Sequence, residues 1–331
     1  MASMAESSYD SDHTEECPGA PEYGRAVSSA RRSMTEDRYG HLPGLPRLEY
    51  HLMDHKLKLF VVSGLLIFEG SLLPIVLFYP LWFATSLRHG ILFAIITSFF
   101  GLVSGLEFAH RSWRLIHKND KYRPLDGTRW RFDFTHWTIS ICYTIMTGVL
   151  IGASIPHEPL VRPLAIPVPL FFIGAGTLCI VTGAMSALGM KTGCKVSSIP
   201  KGEPQPPYVL TAVEDVVGVD GGGARPFRRR LLERYKASKA FRRLIAELNW
   251  FWGIGSVISG AGTLAAIWVI PSQEVAYGVG WGEPLVFFII WTWITVIWTR
   301  RGLRREKISW AADSREKGMV MESSTDTPTP K

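Results

Sequence analysis

The sequence predicts an all-α fold: an integral membrane bundle of about six transmembrane helices with a basic amphipathic helix on the cytoplasmic side. Of the 331 residues, 47% are apolar and only 20% are charged, and the mean hydropathy is +0.12. The apolar residues form runs that are long enough to cross a hydrocarbon core about 30 Å thick. Lys and Arg are concentrated between alternate runs, as expected when positive charge is retained in the cytoplasm. This composition excludes a disordered chain and is unusual for a soluble enzyme.

Six runs have the length of a membrane-spanning helix. They cover residues 59–83, 90–109, 134–155, 168–190, 248–270 and 279–299. The sixth run is the weakest, because its purely apolar part extends only from Leu285 to Thr299 and spanning length requires Glu283 and Pro284. We therefore expect an irregular outer end in the sixth helix.

The orientation follows from the positions of the basic residues. With six spans, 34 of the 36 Lys and Arg residues lie on one side, and only Arg88 and Arg162 lie on the other. The positive-inside rule then places both termini in the cytoplasm. Because the basic residues flank membrane spans, no nucleic-acid partner is expected. The first 58 residues contain no apolar core of signal-peptide length, so a multi-pass protein of the endoplasmic reticulum or another endomembrane is predicted.

The chain divides into five parts by composition. Residues 1–47 are rich in Ser, Asp, Glu, Gly and Pro and are predicted to form a disordered cytoplasmic tail. Residues 48–190 hold the first four membrane helices, and 191–247 form a cytoplasmic loop. The last two transmembrane helices fall within 248–299, and 300–331 form a second cytoplasmic tail.

The loop ends in a basic segment, 225–247, whose apolar residues recur at helical spacing. This pattern predicts a single amphipathic helix lying on the anionic cytoplasmic leaflet of the bilayer. The residues expected to contact that membrane surface are basic: Arg228, Arg229, Arg230, Arg234, Lys236, Arg242 and Arg243.

Upstream of that segment, Glu214, Asp215 and Asp220 precede the turn Gly221–Gly223. One interpretation is a phosphate or metal contact, in which the acids hold Mg²⁺ and the glycine N–H groups face a phosphate. The spacing matches no established phosphate-binding motif, and the alternative is a left-handed turn with no ligand. His51 and His55 lie at i and i+4 beside Asp54, but no third ligand is evident, so a juxtamembrane helix is favoured. Neither a resident metal nor a cofactor is expected.

Two acids inside the spans are the catalytic candidates. Glu69 lies near the middle of the first run, where a carboxylate costs about 2.5–3.5 kcal/mol, so its side chain is expected to face the bundle interior. The alternative for Glu69 is a protonated group that hydrogen-bonds a neighbouring helix. Glu107, at the cytoplasmic end of the second run, is the second candidate, and an ion pair with His110 or Arg111 is its alternative.

Four blocks of sequence carry a family resemblance. They are residues 52–58, 123–134, 213–223 and 234–242. Together they resemble a family of multi-pass membrane proteins of filamentous fungi, over about residues 50–310. Proteins of this kind accompany secondary-metabolite pathways, especially terpenoid ones. The resemblance implies a biosynthetic context and carries no catalytic residue across.

Two classes of function fit these features. The first is a membrane-bound cyclase for a lipid-soluble prenylated or epoxidised substrate, in which neutral Glu69 donates a proton and aromatic walls stabilise the resulting cation. Trp291 and Trp293 are the candidates for those walls. The second class is non-catalytic: an endomembrane scaffold that holds lipid or pathway enzymes, or a small transporter.

Overall fold

The computed structural model describes residues 45–46, 48, 72–117, 121–125 and 132–325, with side chains as far as residue 312. Within these ranges the chain is helical, and pairing between extended segments is limited to two isolated bridges. The α-helices are α1 (Leu73–Ala84), α2 (His89–His117), α3 (Phe134–Ser154), α4 (Val161–Leu164), α5 (Pro167–Ala187), α6 (Tyr208–Asp215), α7 (Ala224–Ala237), α8 (Lys239–Val269) and α9 (Gln273–Thr325). A π-helical segment, Val216–Asp220, continues α6.

Five of these helices are long and apolar enough to cross a membrane: α2, α3, α5, α8 and the Gln273–Ala312 part of α9. Five helices of this length and composition are typical of a helical membrane protein. Helix α1 is a shorter apolar helix and forms the described end of the predicted run 59–83. The rest of that run, including Glu69, lies outside the described residues, as do the predicted tail up to residue 44 and the segment 51–55.

The prediction of an irregular outer end for the last span is wrong. Helix α9 runs without interruption from Gln273 through Pro284. The hydroxyl of Ser272 accepts a hydrogen bond from the N–H of Val275 at 3.2 Å, which satisfies one of the unpaired donors of the first turn. This cap starts the helix about three turns before Pro284.

Helices α5 and α8 pack closely along their length. A Cβ on Gly176 would lie 2.7 Å from the carbonyl oxygen of Gly253, so the two backbones approach more closely than larger side chains allow. Asn249 of α8 is fully buried and donates from Nδ2 to the carbonyl of Cys179 at 2.7 Å. Its Oδ1 accepts from the N–H of Val209 at 3.2 Å, so one side chain fixes α8 against α5 and α6.

The predicted single helix over 225–247 is two helices. Helix α7 ends at Ala237 and α8 begins at Lys239, with Ser238 between them in an extended conformation. The hydroxyl of Ser238 accepts from the N–H of Phe241 at 3.1 Å and caps α8. The basic helix α7 therefore does not continue into α8. Residues 239–247 form the first turns of α8, a helix of membrane-spanning length.

The end of the bundle near Arg162 has few charges. The Arg162 guanidinium donates to four backbone carbonyls at the end of α8 and just beyond it: those of Ile267, Trp268, Ile270 and Pro271, at 2.5–3.1 Å. A cation at this position satisfies carbonyls that the helix leaves unpaired and complements the helix dipole. We call the other end, which carries Arg111, Arg228 and Arg243, the basic end.

Candidate functional site

A groove of about 700 Å³ lies between α8 and α9. Its lining residues from α8 are Glu247, Trp250, Phe251, Ile254, Gly255, Ile258 and Ser259, and those from α9 are Glu283, Phe287, Trp291 and Trp298. We call this the aromatic groove. Its volume is within the range of small-molecule sites, about 300–1,000 Å³, and a mainly apolar lining with a few polar groups is typical of such sites.

The groove has two acids, Glu247 of α8 and Glu283 of α9. Glu283 lies ten residues into α9, or about 15 Å along the helix axis. Its hydrogen-bond partner Ser259 is the middle residue of the predicted run 248–270, so the carboxyl group lies within the predicted span. The Ser259 hydroxyl donates to the Glu283 carboxyl group, 3.0 Å from Oε1. Thr263 Oγ1 makes a second hydrogen bond, to Oε2 of Glu283. Two hydroxyls of α8 therefore hold the carboxyl group of α9.

The Thr263 hydroxyl has two acceptors within reach. Besides Glu283, it lies 2.8 Å from the backbone carbonyl of Ser259. A hydroxyl has one proton to donate, so Thr263 shares it between this carbonyl and the Glu283 carboxyl group.

One wall of the groove is a stack of aromatic rings. The Trp291 ring lies 4.7 Å from that of Phe251, nearly parallel, and 4.5 Å from that of Phe287. The indole N–H of Trp291 donates to the Phe251 carbonyl at 3.2 Å. Space for the indole comes from Gly255, where a Cβ would lie 2.5 Å from the Trp291 ring. The wall is therefore fixed by contacts within the protein.

A second candidate is a buried charge cluster at the basic end, formed by Arg111, Asp133, Glu214, Asp215, Asp220 and Arg228. Arg228 has 0% exposure and contacts Glu214 at 2.8 Å and Asp215 at 2.5 Å. Arg111 binds Asp133 at 2.8 Å and also pairs with Asp220.

Further hydrogen bonds fix the acids of the cluster. Ser197 donates to Asp215 at 2.5 Å, and the N–H of His136 donates to Asp133 at 2.7 Å. The cluster thereby ties α2, the start of α3, α6, the π-helical segment and α7 together.

The electrostatics of the cluster favour protonation of its acids. Burial and the neighbouring Asp215 carboxylate together raise the pKa of Glu214 to about 7, against the opposing effect of Arg228. Burial and the Asp133 carboxylate raise the pKa of Asp215 in the same way. Burial alone lowers the pKa of Arg228, but the three carboxylates around it hold that pKa above its ordinary value. The cluster therefore favours protonation of Glu214 and Asp215 at a higher pH than is ordinary for carboxyl groups, while its carboxylates favour the charged form of Arg228.

The structure divides the basic residues that were predicted to contact a membrane surface. Arg228 and Arg234 are buried. Arg234 forms a bidentate ion pair with Glu306 of α9, with N–O distances of 2.6 and 3.1 Å. Both arginines form ion pairs inside the protein, so the prediction that they contact the membrane surface is wrong for Arg228 and Arg234. The five others are exposed or partly exposed: Arg229, Arg230, Lys236, Arg242 and Arg243.

The three acids that were predicted to contact a phosphate or a metal form ion pairs instead. Glu214, Asp215 and Asp220 each bind an arginine, and within the described residues no group of three His, Cys, Asp or Glu side chains is arranged to hold a metal ion. The N–H of Gly221 donates to the carbonyl of Val216, and Gly222 adopts a φ of +82°. The glycines supply the left-handed turn that was the alternative interpretation.

Of the two predicted catalytic acids, only Glu107 falls within the described residues. It lies partly exposed on α2 and is not one of the described residues that line the aromatic groove. Trp291, a predicted cation-stabilising residue, does line the groove, whereas Trp293 is 67% exposed on the outer face of α9.

Sequence reasoning missed Glu283 as a site residue and noted it only as an interruption of the last span. Its signal is a helical-face pattern, since Glu283, Phe287, Trp291 and Trp298 recur at intervals of four, four and seven residues. The buried partners of Arg228 carried no such signal, because Asp133 is 95 residues away in the chain.

Comparison with known proteins gives one family match. A family model described as a domain of unknown function (DUF8766) matches residues 34–310. No curated protein and no solved structure matches the chain.

Proposed function

Given that the chain belongs to the DUF8766 family, whose description assigns no activity, we propose that it acts on a lipid-soluble molecule in the aromatic groove. The proposed reaction is an acid-initiated cyclisation or isomerisation, with Glu283 as the acid. Glu283 thus takes the role that the sequence suggested for Glu69. The observation that carries the proposal is the placement of Glu283 beside a fixed aromatic wall, between two helices of membrane-spanning length.

The first step is a proton transfer from Glu283 to an alkene carbon or an epoxide oxygen of the substrate. The carboxylate that remains is stabilised by hydrogen bonds from Ser259 and Thr263. The substrate cation forms new carbon–carbon bonds or shifts its double bond, and it then loses a proton. That proton returns to Glu283 directly or through water, so the net reaction conserves all atoms and the acid is regenerated.

The aromatic wall supports the cationic intermediate. The faces of Trp, Tyr and Phe attract cations, by about 2 kcal/mol when both partners are desolvated. Phe251, Phe287 and Trp291 present stacked rings along the groove. Because Gly255 and the Phe251 carbonyl fix Trp291 in place, little reorganisation is needed when charge develops.

The proposal includes the topology and setting predicted from the sequence. It has six spans, both termini in the cytoplasm, and the basic end facing the anionic leaflet of an endomembrane. Arg229, Lys236 and Arg243, which are exposed, are the proposed contacts with that leaflet. Secondary-metabolite biosynthesis in filamentous fungi is the proposed context, because such pathways supply prenylated and epoxidised substrates.

The test is product formation in vesicles that contain this protein alone. Candidate prenylated and epoxidised substrates are added, and products are identified by mass spectrometry. Glu283→Gln keeps the size and hydrogen bonding of the side chain but removes the transferable proton, so product should be lost at unchanged abundance. The matched control is Glu274→Gln, an acid on the first turn of the same helix, and it should retain activity.

Full product formation by Glu283→Gln would contradict the acid role. Absence of any product from the wild-type protein, across both substrate classes, would favour the scaffold function that was the alternative.

A further inference from the structure

The shape and charge of the aromatic groove restrict the molecule that it accepts. We propose that the occupant is an elongated amphiphile with an anionic head group, which lies along α8 with its head at the basic end and its hydrocarbon end at Glu283. This inference rests on the proposed function, because it names the class of molecule that meets the acid.

The length of the groove follows from its lining residues. On α8 it extends from Glu247 to Ser259, which are 12 residues apart, or about 18 Å at the rise of an α-helix. On α9 it extends from Glu283 to Trp298, 15 residues or about 22 Å. Both distances exceed half the thickness of a hydrocarbon core of about 30 Å. The groove is thus long enough for an extended hydrocarbon chain that crosses at least one leaflet.

The polar groups of the groove lie at its two ends. Glu247 is at the basic end, while Glu283 and Ser259 are at the deep end. Between them the lining is aromatic or aliphatic: Trp250, Phe251, Ile254, Ile258, Phe287 and Trp291. A charged or strongly polar group in the middle of the ligand would be desolvated there without a partner, which is costly. The middle of the ligand is therefore hydrocarbon.

The charge of the head group follows from the basic end. Arg243 lies at the mouth of the groove, where its side chain is 83% exposed and contacts the 38% exposed Glu247 at 3.0 Å. Arg301 is exposed on α9 three residues beyond Trp298, about 60° from it around the helix. The two arginines outnumber the single carboxylate near this mouth, so complementarity favours an anionic head such as a phosphate or carboxylate.

The deep end imposes a different requirement. A neutral Glu283 donates a proton or a hydrogen bond, whereas an anionic head placed there would lie in the hydrocarbon core without a basic partner in the groove lining. The head therefore lies at the mouth, and the end of the chain that reacts lies beside Glu283.

The orientation is tested with photoactivatable fatty acids, bound to the full-length protein in vesicles of neutral phospholipid. A diazirine at the end of the hydrocarbon chain should label residues around Ser259 and Phe287, as mapped by mass spectrometry. The same group beside the carboxylate should label residues around Glu247 and Trp298. An amine of the same chain length should label about tenfold less.

Two glycine variants test the location. Gly255→Ala forces the Trp291 indole into the groove and should reduce labelling about tenfold. Gly262→Ala lies on the same helix with nothing within 4 Å of the added Cβ, and it should label as the wild-type protein does.

Four results would overturn the inference: a reversed labelling pattern, equal labelling by the amine, no effect of Gly255→Ala, or loss of labelling in vesicles rich in phosphatidylserine. The last result would identify a bilayer lipid as the occupant, whereas labelling that survives in those vesicles supports a separate metabolite. Glu283→Gln should leave the labelling pattern intact. If the acid role is wrong, Glu283→Gln retains product formation. If the orientation is wrong, the labelling pattern is reversed, so the two failures are distinguished.

Discussion

Two neighbouring arginines of α7, Arg228 and Arg229, should respond very differently to the same substitution. Arg228 has 0% exposure and faces the buried carboxylates of Asp133, Glu214 and Asp215. Arg228→Met leaves those charges without their counter-ion, and breaking a buried ion pair from one side costs about 3–5 kcal/mol. Arg229 is exposed, so Arg229→Met should change the free energy of unfolding by about 0.5 kcal/mol or less.

The assay is thermal unfolding of the full-length protein in detergent micelles, followed by tryptophan fluorescence, with both variants measured side by side. Arg228→Met should unfold at a clearly lower temperature, and its deficit should shrink in acid because the carboxylates then become neutral. Binding of Arg229→Met to anionic vesicles should be weaker than that of the wild-type protein at low salt. Equal melting temperatures for the two variants would refute the assignment of Arg228 to the interior.

Further outcomes follow from the same structure. The pKa of Glu214 is raised from 4.5 to about 7 in the folded state, so its contribution to stability is fully present below pH 4.5 and is lost as the pH rises to about 7. The loss is on the order of 3 kcal/mol in all. Glu214→Gln should remove most of this loss between about pH 5 and pH 8, and an unchanged pH dependence of the stability would contradict the assignment. Arg162→Met should lower the melting temperature, since four carbonyls lose their partner at a cost of about 1–3 kcal/mol, whereas Arg88→Met at an exposed position should not. Tags at residues 1 and 331 should both resist an external protease in sealed cells, and cleavage of either tag without permeabilisation would overturn the proposed topology.

The sequence was sufficient to predict the membrane helices, because that prediction depends on local hydropathy. The runs 90–109, 134–155, 168–190 and 248–270 each fall on a helix of spanning length. The run 279–299 also does, although its helix begins earlier than predicted, at Gln273. Local signals that were present but not used, the hydroxyls of Ser238 and Ser272, account for the two boundaries that differ.

The candidate sites were harder to predict because their partners are distant in the chain. Helical periodicity places Arg228 opposite the apolar residues of its helix, but it does not reveal which face meets the protein. That depends on Asp133, which is 95 residues away. Arg234 is likewise paired with Glu306, 72 residues away. Glu283 interrupts the apolar pattern of its own span, and its role becomes visible only when Ser259 and Thr263 of α8 are placed beside it.

The most direct test of the central claim is deuterium transfer from solvent to product. Vesicles containing the protein are equilibrated in deuterated water, so that the exchangeable proton of Glu283 becomes a deuteron, and a prenylated alkene substrate is added. The acid role predicts a product that carries one carbon-bound deuterium, and it predicts that Glu283→Gln forms none. A product without deuterium, or a deuterated product formed equally well by Glu283→Gln, would contradict the account.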